Sequence, residues 1–529
     1  MVNRCPNCGG PVNYDIAAGQ LKCESCDSLF EPDKYNSETG AKEYAENAEF
    51  DMSIFTCPNC GGSIASNELE AVEYCLYCGS FVTLESQVKR VRKPDFILPF
   101  TKTKEDCKKS YSKMIGHKLY APKEFRDASF LEGFKGIYIP YWTYDFKCGP
   151  EAEFGGQSEK REGDYLCKQN YSIKCGIDGK VEGISYDASS TFDDDISNKV
   201  LPFESEKLVP FKSPYMFGFF GDTADIPESV YCAEASKVAR DKIWEDVENN
   251  KEISEGHPKR PSENKFDSHF NLFYESKLSM IPVWFLTWRK KDRVAYSVMN
   301  GDSGEIYSEV PVDIKRYLLF SLLFAIPIFA LLNLFTFSAS TMLKLSLALS
   351  MLMIFLYTFQ LDRIVRKVFH ADDKGYTSLH REEDEKAQKV TNNFIVTLFS
   401  AVGSVFKTIG VVGVIIAIVL LFVAPEYVVI FVVLLVVVSI VYIFFRIGKD
   451  CKLLQDRTVL VDILGSLISL LLSTVMLIAD PAGDEFYYIC AIVCIAGVGL
   501  TATFSMRRYN ELATRPLPHF FEREAGGKK

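Results

Sequence analysis

Histidine and tryptophan are scarce, with six of the first and four of the second among 529 residues. The histidines (His117, His257, His269, His370, His380, His519) stand apart, without HExxH or any other metal spacing. That excludes the familiar His-based zinc enzymes. No GxxxxGK[ST], GxSxG or dinucleotide fingerprint occurs either, so the phosphate cradles and nucleophile elbows built on them are excluded. A protein that is not an enzyme is expected. Basic charge is missing where a nucleic-acid reader would need it. Residues 1–92 carry seven Lys/Arg against fourteen Asp/Glu, the wrong sign for phosphate binding. The one basic cluster there, "KRVRK" at Lys89–Lys93, reads as a linker edge or lipid-headgroup contact. The first 310 residues hold no apolar run of spanning length, and polar Asn3–Pro11 does not read as a secretory leader.

Cysteine is the residue with a pattern. "CPNCGG" stands at Cys5–Gly10 and again at Cys57–Gly62. Cys5, Cys8, Cys23 and Cys26 recur 52 residues later as Cys57, Cys60, Cys75 and Cys78, each set reading C-x2-C, fourteen residues, C-x2-C. Two knuckles of this kind complete a tetrahedral four-thiolate shell, so two structural Zn²⁺ ions are expected. Units this small bury little apolar surface, and the metal supplies folding free energy, about 10–16 kcal/mol apparent per structural zinc. Gly9, Gly10, Gly61 and Gly62 are expected to give the knuckles positive φ and close approach of backbone N–H groups to sulfur. Disulfides suit an oxidising compartment, redox CxxC pairs sit on thioredoxin-like units, and catalytic zinc leaves a ligand position open; all three fit less well. The other eight cysteines (Cys107, Cys148, Cys167, Cys175, Cys232, Cys451, Cys490, Cys494) show no ligand spacing.

Beyond Tyr317 the composition changes. Six apolar runs lie at Tyr317–Phe337, Leu343–Phe359, Ile409–Val423, Tyr427–Phe445, Val459–Ile478 and Phe486–Phe504, each of membrane-spanning length or close to it. Basic residues cluster before the first run, between the second and third, between the fourth and fifth, and after the sixth; "SAST", "APEY" and "DPAGDE" hold none. The positive-inside rule then predicts a multi-pass cell-membrane protein with both termini cytoplasmic. Few ionisable residues interrupt the runs, which argues against a transport path; Asp462 is expected to be hydrated at a cytoplasmic end.

The intervening segment reads as mixed α and β. Strands are expected at Asp95–Phe100, Gly136–Phe146, Met280–Trp288, Val294–Met299 and Glu305–Val310. A helix with Cys107, Tyr111 and Met114–Ile115 on one stripe is expected between the first two strands. A second, Ser229–Asn250, should align Ala233, Val238, Ile243 and Val247. "IPYW" (Ile139–Trp142) and "IPVW" (Ile281–Trp284) read as two independent strands with Pro near their starts. Asp193–Asp195 lacks the alternating ligands of a calcium loop and reads as a solvated turn. The fold class is thus an α+β soluble part, comprising two tandem four-cysteine zinc ribbons and a mixed α/β middle domain, followed by an α-helical membrane bundle of about six spans. The boundaries are ribbon 1 at 1–30, an acidic linker at 31–56, ribbon 2 at 57–92, the middle domain at 93–312, the membrane domain at 313–508 and a cytosolic tail at 509–529.

Four segments resemble the hallmarks of bacterial zinc-ribbon membrane proteins, chiefly Gram-positive, often labelled TFIIB-type. The matching positions are Pro94, Asp95, Ile97, Pro99 and Phe100; Gly136, Tyr138, Pro140, Tyr141 and Trp142; Pro202, Phe203, Leu208, Val209, Pro210, Tyr215 and Gly218; and Pro282, Trp284, Asn300, Gly301, Ser303 and Gly304. The resemblance implies a membrane-anchored module of envelope-stress systems, with phage-shock-protein-A-like and SPFH-like partners. Two ribbons and six spans exceed the usual pattern. A membrane scaffold or adaptor that docks cytosolic protein partners is therefore expected, self-association being possible. The alternative is a transporter or lipid-handling protein, similar to paraquat-inducible-protein-A-like proteins. Those alternate ribbons with membrane blocks, whereas here both ribbons precede all spans.

Overall fold

The computed structural model describes residues 4–35, 49–66, 75–81, 85–379 (save 178, 202, 204 and 335–338) and 458–518 (save 480 and 482), together with 448, 454, 456 and 520. In chain order the strands are β1 (Val12–Asp15), β2 (Gln20–Cys23), β3 (Leu29–Phe30), β4 (Glu49–Thr56), β5 (Ser63–Ser66), β6 (Glu85–Arg92) and β7 (Phe96–Ile97). They continue with β8 (Lys135–Lys147), β9 (Glu151–Glu162), β10 (Tyr165–Gly176), β11 (Lys180–Asp187), β12 (Val209–Pro210) and β13 (Phe220–Gly221). The last four are β14 (Phe273–Lys290), β15 (Arg293–Asn300), β16 (Ile306–Ser308) and β17 (Arg515–Pro516). β1–β3 form a small sheet and β9–β10 a separate hairpin; the rest join one twelve-stranded sheet. Glu49–Thr56, within the stretch read as linker, is β4 of that sheet.

The sheet is organised around β8 and β14, antiparallel over thirteen residue pairs. Their near-continuous aromatic and β-branched runs are buried on both faces, as a central strand requires. "IPYW" and "IPVW" lie directly opposite each other, with Ile139 facing Ile281 and Pro140 facing Met280. Both prolines stand inside their strands rather than near the starts. The missing N–H is tolerated because each proline sits where its strand changes neighbours. β14 pairs β7 up to Met280 and β15 from Val283; β8 pairs β13 at Ile137–Tyr138 and β11 from Tyr141.

The helix Lys104–Gly116 starts at a capping box, Thr103 with Asp106, and buries Cys107, Tyr111 and Ile115, one residue per turn of a single face. In Cys232–Asn249 the buried stripe is Ala235, Ala239, Ile243, Trp244 and Val247. Ala233 and Val238 point outward. The two inward alanines allow closer approach to the core than a β-branched residue would.

Four described helices are long and apolar enough to cross a membrane: Ile314–Leu331, Thr341–Val368, Thr458–Ala479 and Glu485–Leu512. They correspond to the first, second, fifth and sixth expected runs; Ile409–Val423 and Tyr427–Phe445 lie outside the described residues. The second and last helices outrun their apolar stretches and carry Arg363, Arg366, Lys367 and Arg508 toward the soluble part. A side chain on Gly465 or Gly497 would collide with the other's backbone, so small residues set this crossing. Asp462 is buried, not hydrated: its Oδ2 accepts from Arg508 Nε at 2.7 Å and Tyr357 Oη at 2.8 Å. The partner is 46 residues away, which a scan for intramembrane charges along one run cannot reveal.

Candidate metal centres and the C-terminal strap

Each knuckle is a tight turn closed by backbone hydrogen bonds. In ribbon 1 the Gly9 N–H donates to Cys5 O and the Cys5 N–H to Gly10 O, both at 2.8 Å. In ribbon 2 Gly61 donates to Cys57 O at 2.8 Å and Cys57 to Gly62 O at 2.9 Å. Gly9 and Gly61 have φ of 74° and 75°, the left-handed region that favours glycine. Gly10 and Gly62 do not share it; they are glycines because a Cβ would strike Ser25 in one case and Tyr77 in the other. Their N–H groups point at sulfur, Gly10 to Cys8 Sγ and Gly62 to Cys60 Sγ, both at 3.4 Å.

The expected thiols converge. Cys5, Cys8, Cys23 and Cys26 form one group and Cys57, Cys60, Cys75 and Cys78 the other, with ligand atoms within 4.8 Å of one another. Cys5–Cys26 and Cys8–Cys23 approach to 3.7 and 3.5 Å, and Cys57–Cys78 and Cys60–Cys75 to 3.7 Å each. Both groups can hold a metal ion. In ribbon 2 the thiol of Cys57 is lowered to about 7, chiefly by hydrogen bonding with Cys60, while that of Cys60 is pushed up, chiefly by Cys57. Packed thiols of this kind resist sharing several negative charges, and a bound cation removes the conflict. None of the other described cysteines joins a ligand group.

The surroundings of the two sites differ. Ribbon 1 keeps its own sheet, and Cys8 and Cys26 are exposed. It rests on the body through Tyr14, whose N–H donates to Phe217 O at 3.0 Å and whose ring meets Tyr215 at 5.6 Å. Ribbon 2 is part of the main sheet through β4 and β5, and all four of its cysteines are buried. Tyr296 Oη donates to Tyr77 O at 2.6 Å, Thr287 Oγ1 donates to Leu76 O, and Arg289 Nη1 reaches Cys78 O at 3.3 Å.

Residues after the last membrane helix complete this burial. β17 pairs with β15, Leu517 N–H donates to Asp292 O at 3.1 Å, and Phe520 N–H donates to Cys60 O at 2.5 Å. The Phe520 ring packs edge-on against Tyr77 at 5.6 Å and is buried. The tail thus straps the end of the membrane bundle to the second metal site. Its sequence signal is weak: two prolines and two phenylalanines in "RPLPHFF", with no partner named by the residues themselves.

The positions carrying the family resemblance do not surround one site. Phe100, Tyr138 and Trp284 form an aromatic cluster, Gly218 takes φ of 83°, and Asn300 Oδ1 accepts from Asp302 and Ser303 in a turn. Pro202 lies outside the described residues. They define the sheet and its corners.

This chain is similar to the uncharacterized protein YdjG of Bacillus subtilis (strain 168), 24% identical over 319 residues that span 59% of this chain and 90% of that protein. No described protein family matches the chain, and no solved structure matches it. Cysteine groups able to bind metal and apolar helices able to span a bilayer together fit a membrane protein with zinc-ribbon-like motifs.

Proposed function

We propose that this protein is a membrane-anchored scaffold that uses zinc-loaded ribbon 1 to dock a cytosolic protein, and that it is not an enzyme. Zinc is the metal because four thiolates in a closed shell suit it. Both termini and the soluble part lie in the cytoplasm, by the distribution of basic residues around six spans. The observation that carries the docking role is the asymmetry between the ribbons. Ribbon 1 stands on its own sheet with Cys8, Cys26 and Leu29 exposed, whereas ribbon 2 is covered by β14, β15 and the tail. The partner class comes from the family resemblance: a phage-shock-protein-A-like or SPFH-like protein of envelope-stress response.

Affinity purification from native membranes tests this reading, comparing wild type with Cys5→Ser/Cys8→Ser. Such partners should co-purify with wild type and be lost from the variant, while membrane insertion and the second metal equivalent remain. Equal recovery of those partners would sink the docking role of ribbon 1. The buried Asp462–Arg508–Tyr357 contact favours the alternative transport or lipid-handling reading, since ionisable residues inside a bundle often mark a path. Asp462→Asn should leave partner recovery unchanged if the scaffold reading holds.

A further inference from the structure

Where the soluble part meets the ends of the membrane helices there is a cavity of about 640 Å³, lined in part by Asp193, Lys367, His370, Asp373 and Arg515. Three elements meet here: the Asp194–Val200 helix capped by Asp193, the turn after the second membrane helix, and the C-terminal strap. One ligand atom each from Asp193, His370 and Asp373 lies within 4.8 Å of the others. His370 Nδ1 is 3.9 Å from Asp373 Oδ2. The turn holds His370 in the left-handed region, φ 49°, with its ring stacked on Tyr376 at 4.0 Å. The triplet-D motif, read from sequence as a solvated turn, is therefore partly buried, and one scattered histidine comes to face it.

Carboxylates crowd the buried side of this junction. Asp187, Asp194, Glu309 and Asp373 are buried and Asp193 nearly so, against two buried or half-buried cations, Lys367 and Arg515. Glu309 Oε1 accepts from both cations at 2.9 Å, and Arg515 also reaches Asp193. At the rim, Lys199–Asp195 and Arg366–Asp372 neutralise each other. Asp187, only 2% exposed, has an Oδ2 with no hydrogen-bond partner. Burial, then the charges of Asp194 and Asp373, push its carboxyl well above the usual range. Buried carboxylates thus outnumber buried cations at this junction, and buried charge is costly unless it is paired.

We infer that Asp193, His370 and Asp373 bind a divalent cation that clips the exit of the second membrane helix to the soluble domain. Two carboxylates and an imidazole form a site suited to Mn²⁺ or a related ion rather than to the soft preferences of a thiolate cage. Asp194 already ties the same two parts, accepting from Lys374 N at 2.8 Å and Tyr231 Oη at 2.6 Å. The ion adds a second tie beside this contact.

The test uses full-length, zinc-loaded protein in detergent micelles, titrated with Mn²⁺ while free Mn²⁺ is read by electron paramagnetic resonance. One Mn²⁺ per chain should bind, at least about tenfold more weakly in Asp373→Asn and in His370→Asn. Asparagine tolerates left-handed backbone, so His370→Asn removes the imidazole without disturbing the turn. Unchanged zinc content in each variant reports that the fold survives. Cys8→Ser should leave Mn²⁺ binding as in wild type, which separates this site from the ribbons and from the docking proposal. A wild type without a saturable Mn²⁺ site, or one undiminished in both variants, overturns the inference.

Discussion

The two ribbons share ligand spacing, knuckle hydrogen bonds and paired glycines, yet one stands on its own small sheet with two cysteines exposed and the other is built into the main sheet with all four buried. The difference lies in the neighbours. Where ribbon 1 has Asp27 at φ 56°, ribbon 2 has Gly79 at φ 66°; where Ser25 yields to solvent, Tyr77 is wedged between Phe285 and Phe520. A repeated motif therefore fixes a local geometry without fixing a role. The role follows from what packs against it.

Breaking each ribbon in turn gives the largest expected effects. Cys57→Ser/Cys60→Ser should abolish the main cooperative unfolding transition of the soluble part, because loss of a structural metal worth roughly 10 kcal/mol is comparable to the whole stability of an ordinary domain. Cys5→Ser/Cys8→Ser should keep that transition and lose one zinc equivalent. Calorimetry with metal analysis checks both, and equal damage from the two variants would erase the distinction. Next in size is Phe520→Ala, about 3 kcal/mol for a buried phenylalanine. It should free the strap, seen as faster hydrogen exchange at β15 and at the N–H of residue 520, with ribbon 1 unaffected.

Much of this contrast could not be read along the chain. The cysteine sets were legible because a four-thiolate metal cage demands spacing, and four of the apolar helices because apolar length suffices. β8 and β14 were legible because their aromatic and branched residues have few alternatives to a buried sheet. The β9–β10 hairpin escaped notice because its strands are polar and largely exposed, although Gly163–Asp164 between them is a two-residue turn signal. The strap and the Asp193–His370–Asp373 group escaped for a different reason. Asp193 stands 177 and 180 residues from His370 and Asp373, and the strap more than 200 from β15; short polar segments carry no periodicity that names a partner.

Smaller substitutions sharpen the same comparison. Gly62→Ala should cost about 1–3 kcal/mol by overpacking against Tyr77 and Phe520. Gly10→Ala strikes both the hydroxyl and the Cβ of Ser25, the latter at 2.7 Å, so the knuckle itself must shift; because Ser25 is exposed, the loss should be smaller than that of Gly62→Ala. Similar losses in denaturant unfolding would mean that ribbon 2 is looser than its contacts imply.

The last difference is electrostatic. Ribbon 2 touches a buried carboxylate through Tyr77, since Thr191 Oγ1 bonds both Tyr77 Oη at 3.3 Å and Asp222 Oδ2 at 2.6 Å. Burial raises Asp222 from 3.8 to about 6. A carboxyl raised on folding opposes stability when ionised, because the unfolded chain releases the proton more readily. The opposition is complete above about pH 6 and is relieved as pH falls toward 3.8. Asp222→Asn removes this dependence. Between about pH 7.5 and 4.5, wild type should gain about 2 kcal/mol relative to that variant. A difference that stays flat with pH would mean that Asp222 is hydrated and that the interior beside ribbon 2 admits water, bringing it closer in character to ribbon 1.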